Sequence, residues 1–111
     1  RLTVVFMLLA ARCLNISTRC PDIGDIRDDA RKMKSPNAGW PMAACARIHG
    51  ATMGGMAVYD GTPVQKPVLG PEASPWTTAK LRLLIRHLEI SACMSAAGLW
   101  LGGLALYIFL G

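Results

Sequence analysis

The sequence predicts a mostly α-helical membrane protein: one long C-terminal transmembrane helix (about 75–110) preceded by an extended, irregular arm with short helices. Three observations predict this. Residues 90–111, ISACMSAAGLWLGGLALYIFLG, carry no charge. All twelve Lys and Arg residues lie before residue 87, although 52% of the 111 residues are hydrophobic. Prolines and glycines punctuate residues 35–75, and no proline follows Pro75.

A bilayer core about 30 Å thick needs about 20 apolar residues at about 1.5 Å rise each. The 22 residues from Ile90 to Gly111 meet that requirement. A lone segment in hydrocarbon can satisfy its backbone only as a helix, and glycine is ordinary in such helices. Ser74-Pro75 supplies an N-cap followed by proline at the first helical position. Lys80, Arg82, Arg86 and His87, set among Leu81, Leu83, Leu84, Ile85 and Leu88, form a basic collar suited to lipid headgroups. Trp76 and Tyr107 are placed for the two interfaces. The positive-inside rule puts residues 1–89 on the matrix, stromal or cytoplasmic side.

The remaining elements are expected in an extramembrane arm, residues 1–74, joined to the collar and span at 75–111. Leu2–Ala11 is apolar but too short to span, so it reads as a targeting remnant or as a short interfacial or protein-packed helix (about 2–12). A chain that begins with Arg1 is expected to be processed or incomplete. Asn15-Ile-Ser17 is a formal glycosylation sequon, which counts only in a secretory lumen. Residues 22–34, DIGDIRDDARKMK, fit a short amphipathic helix, with acids in the first turn and bases in the last. Its four aspartates lack the alternation and glycine of a calcium loop, so no metal site is expected. Ser35-Pro-Asn-Ala-Gly39 reads as a turn, and a helix over about 41–50 follows within a Met-, Ala- and Gly-rich stretch. Asp60 to Pro75, with four prolines, reads as an extended connector along a partner surface. Residues 12–74 hold too few large apolar residues for a core of their own, and are expected to take their order from larger neighbours.

Chemistry is sparse. The four cysteines, at 13, 20, 45 and 93, show no CxxC or zinc spacing; reduced thiols are expected, or a Cys13–Cys20 bridge. No catalytic triad order, HExxH or nucleotide fingerprint is present, so no catalytic residue is assigned. His87 and Glu89, at the membrane boundary, are the candidate ligands for a haem or chlorophyll. The alternative is a polar boundary residue, with Glu89 paired to Arg82 or Arg86. Ser91, Ser95, Gly98, Gly102 and Ala105 align at helical spacing and include a GxxxG, marking a helix-packing face.

These features lead to the expectation of a small non-catalytic, single-pass accessory subunit of an energy-transducing organelle complex, a photosystem or a respiratory-chain enzyme. The basis is likeness of architecture, not of motif. Its partners would be larger membrane subunits and lipid, with no nucleic acid and no small-molecule substrate. No cofactor is required, although chlorophyll or lipid contact at the span is expected. The location would be the plastid thylakoid or mitochondrial inner membrane. A tail-anchored adaptor and a small haem or pigment protein are the alternatives.

Overall fold

The computed structural model describes residues 2–16, 21–72 and 74–111. Its elements are α1 (Leu2–Cys13), α2 (Ile23–Arg31), α3 (Pro36–His49), β1 (Met53–Tyr59), β2 (Thr62–Leu69) and α4 (Thr78–Leu110). It is mostly helical, with one long apolar helix that could span a membrane. The sequon's Ser17 and Cys20 of the expected Cys13–Cys20 bridge lie outside the described residues.

Helix α2 opens with Asp22 as N-cap, its carboxylate accepting from Gly24 N at 2.9 Å. It stops at Arg31, three residues short of the expected end. There Lys32 N and Met33 N donate to the carbonyls of Asp29 and Ala30 in tightened turns. Ser35, extended as the residue before a proline tends to be, then breaks the path.

Helix α3 starts at Pro36, so the expected turn 35–39 is in fact its first turn. Proline is compatible with that position because its missing N–H would have had no helical partner. Gly39 explains how closely α3 approaches α2: a Cβ there would lie 2.5 Å from the Ala30 carbonyl oxygen. Ala43, Ala44 and Ala46 are wholly buried, so α3 packs through its backbone surface rather than through large side chains.

The connector expected at 60–75 is half β-hairpin. Strands β1 and β2 pair antiparallel, with Tyr59 opposite Thr62. The turn between them is Asp60-Gly61, both at positive φ (50° and 77°). That is the two-residue turn whose twist suits a hairpin. Pro63 and Pro67 are tolerated because both strands of a two-stranded sheet are edges.

Residues 70–72 and 74–77 lead back towards α4 and are pinned at Thr52. Thr52 N donates to Ser74 O (2.7 Å), Ser74 N to Thr52 Oγ1 (2.9 Å), and Trp76 Nε1 to Thr52 O (3.0 Å). Thr52 Oγ1 also donates to the Pro71 carbonyl. These bonds keep Ser74–Trp76 non-helical, so Ser74-Pro75 is not the cap. Thr77 caps α4 instead, its hydroxyl accepting from Lys80 N at 3.2 Å.

A core does form, contrary to expectation. Val4, Met7 and Ala11 of α1 meet Ile26 and Ala30 of α2 and Ala43, Ala44, Cys45 and Ile48 of α3, with Leu84 of α4 packed against them. Helix α1 supplies the large side chains that the middle of the chain lacks. It runs antiparallel to α4, with Met7 beside His87 and Phe6 reaching Gly98. Beyond this contact α4 stands free: in its 33 residues the most apolar stretch has mean hydropathy 1.8, and none of it is buried within the chain. A soluble core helix would be covered there.

Candidate functional site

Two polar clusters hold the small helices to each other and to α4. The first lies where α1, α3 and α4 meet. The last turn of α3 carries His49, and the first third of α4 carries His87, which is wholly buried. His49 Nε2 and His87 Nδ1 are 3.0 Å apart, and His87 Nε2 is 2.8 Å from the Met7 carbonyl. A carbonyl only accepts, so His87 Nε2 carries the hydrogen. When His87 is neutral its Nδ1 accepts, and His49 donates from Nε2. The remaining nitrogen, His49 Nδ1, is a buried lone pair with no partner among the described residues.

The His49 ring also lies against the indole of Trp76, with centroids 5.9 Å apart. Burial, then the neighbouring His87 and Lys80, push His49 down to about 4. It is therefore neutral near pH 7. Lys80 Nζ donates to Gly50 O at 2.9 Å, closing the end of α3 onto the start of α4.

The second cluster centres on Asp29, 1% exposed. Its Oδ1 accepts from Lys32 Nζ (2.7 Å); its Oδ2 accepts from Arg47 Nε (2.7 Å) and Gly70 N (2.9 Å). Burial alone would raise its pKa, but the hydrogen bonds from Arg47, Lys32 and Gly70 outweigh it and hold the carboxyl below its ordinary value. One carboxylate thus ties α2, α3 and the hairpin base together. No group of His, Cys, Asp or Glu suited to a metal ion occurs among the described residues.

The residues singled out from sequence are spread along α4. His87 has both ring nitrogens engaged, so ligating a haem or pigment would require breaking one of those bonds. Glu89 is exposed, two residues on and therefore on the far side of the helix. Ser91 and Ser95 donate to the carbonyls of His87 and Ser91, each at 2.8 Å. Gly98 lies under Phe6, where a Cβ would be 2.9 Å from the ring. Nothing among the described residues lies within 4 Å of a Cβ at Gly102, and Ala105 is exposed. The near half of the small-residue face therefore meets α1 of the same chain. Sequence reasoning missed His49, Asp29 and Arg47: pairs 38 and 18 residues apart leave no local periodicity to find.

Fold and site together define a helical protein with a long apolar helix, whose polar clusters join the short helices and the hairpin to one another and to that helix. The model of the CobD/CbiB protein family matches residues 1–88, a stretch that contains every residue of both clusters. This chain belongs to the CobD/CbiB family. It is similar to cobalamin biosynthesis protein CobD of Geobacter metallireducens, 37% identical over 94 residues, covering 85% of this chain and 29% of that protein. The Rhodobacter capsulatus protein of the same name is 34% identical over 90 residues, covering 78% and 27%. That of Synechocystis is 41% identical over 56 residues, covering 50% and 16%. The chain thus spans less than a third of the length of these curated relatives. No solved structure matches it.

These likenesses overturn three expectations. The relatives are bacterial proteins named for cobalamin biosynthesis, so the accessory-subunit role in a photosystem or respiratory complex falls, and so do the larger subunits proposed as partners. The plastid and mitochondrial locations fall for the same reason. A membrane location and a transmembrane helix fit. A family named for a biosynthesis gives no ground for the expected non-enzyme.

Proposed function

We propose that this chain serves in cobalamin biosynthesis as a membrane-anchored part of a CobD/CbiB protein, with α4 crossing the bilayer. The observation that carries the reading is the extent of the family match. It runs through α1, α2, α3 and the hairpin and ends at Leu88, just before the uncharged stretch that begins at Ile90. The matched stretch thus contains the packed head and its junction with α4, where the histidine pair and the Asp29 hub lie. On this reading the head performs or positions a step of the biosynthesis at the membrane surface, and α4 keeps it there.

A chimera tests it. Residues 1–88 of this chain replace the matching stretch of the Geobacter relative, expressed in a bacterium that lacks its own CobD-family protein. The expected result is restored cobalamin-dependent growth. A chimera that accumulates in the membrane yet leaves growth dependent on added cobalamin would overturn the reading.

A further inference from the structure

Helices α1, α3 and α4 enclose a crevice of about 390 Å³, walled chiefly by Met7, Met42, Met53, Leu84, Leu88 and Ala92. Ser91 and Ser95 also line it, but their hydroxyls are already given to helix carbonyls. The walls therefore ask for an aliphatic guest. Three methionines and no aromatic ring suit a flexible chain rather than a planar one.

We propose that this crevice holds one acyl chain of an anionic phospholipid from the surrounding bilayer. Its position supports this. The α4 residues that line it run from Leu84 in the basic collar to Ser95 in the uncharged stretch, crossing the level at which headgroup gives way to hydrocarbon. It is elongated: eleven residues of rise, from Leu84 to Ser95, make it about 16 Å long, a shape that suits an extended acyl chain. Charge at its extramembrane end complements a phosphate. Arg12 closes α1 there, Lys80 stands one turn before Leu84 on the same side of α4, and Glu89 is the one acid on that helix. The inference does not depend on the biosynthetic reading.

The test uses the full chain in phosphatidylcholine vesicles, with spin-labelled phosphatidylglycerol or phosphatidylcholine carrying the nitroxide on an acyl chain. Ala92→Phe and Met42→Phe fill the crevice from opposite walls. Ala97→Phe makes the same kind of change on the opposite side of α4. The motionally restricted lipid component is expected to fall in both filling variants and to persist in Ala97→Phe. It should also favour phosphatidylglycerol about fivefold, the effect of roughly one well-placed cation. Equal restriction in all four proteins, or equal retention of the two headgroups, would overturn the proposal.

Discussion

His49 donates its Nε2 hydrogen to Nδ1 of His87 across 3.0 Å, joining residues 38 apart in the chain. His87 passes the pattern on to the Met7 carbonyl, 80 residues away. Three helices from distant parts of the sequence are thereby fixed by two imidazole rings. Buried polar chains of this kind stabilise a unique packing when every member is satisfied. Here one lone pair, at His49 Nδ1, is left over.

That arrangement makes stability depend on acid. The unfolded His49 takes a proton below about 6.5, whereas the folded one resists until about 4. Its contribution is fully present above pH 6.5 and is lost as pH falls towards 4, amounting to roughly 3 kcal/mol. Unfolding of the chain in detergent micelles should show this slope between pH 6.5 and 4. His49→Asn should be weaker at pH 7 and nearly flat across the window. The same slope in the variant would assign the effect to other groups.

Removing the Asp29 carboxylate should cost about 3 kcal/mol, because it leaves the half-buried Arg47 and the Gly70 amide without their acceptor. Denaturant unfolding of Asp29→Ala checks this. Arg47→Lys should recover only part of the wild-type geometry, since the contact is made by Nε of a planar guanidinium.

The two glycines of the GxxxG differ. Gly98→Leu drives a side chain into Phe6 and should destabilise the α1–α4 contact by about 1–3 kcal/mol. Gly102→Leu meets open space and should change the chain's own stability by less than about 0.5 kcal/mol. Thermal unfolding of both variants decides the matter: equal losses would mean that α1 does not lie over Gly98.

The hairpin turn offers a cleaner backbone test. Gly61 sits at φ 77°, where an L side chain is strained, so Gly61→Val should cost about 1–2 kcal/mol. Amide exchange of β1 and β2 should speed up while α2 and α3 stay protected. Uniform loss of protection would show that the hairpin and helices unfold as one unit.

How much of this was legible follows from where each signal lies. Helix α4 was readable because 22 uncharged residues without a proline favour one long helix, and α2 because its charges follow the helix dipole. The hairpin was equally local, since Asp60-Gly61 between two runs containing valine is a hairpin signal. Four prolines drew attention away from it, although prolines exclude only central strands. The core was not legible: alanines buried on α3 look like filler until α1, more than twenty residues upstream, lies over them. The candidate site was half legible. His87 stood out by its position at the membrane boundary, but its partner His49 is reached only through the fold. The organelle role rested on architecture that unrelated membrane proteins share, and the family match replaced it.

The packing of head against α4 is the central claim, and the two histidines, the only ones in the chain, report on it directly. Nitrogen-15 NMR of the imidazoles, with the chain in lipid nanodiscs at pH 7, should show a neutral His49 and a hydrogen bond between its Nε2 and Nδ1 of His87. A His49 ring that titrates near 6.5 with no coupling between the two rings would place it in solvent and contradict the claim.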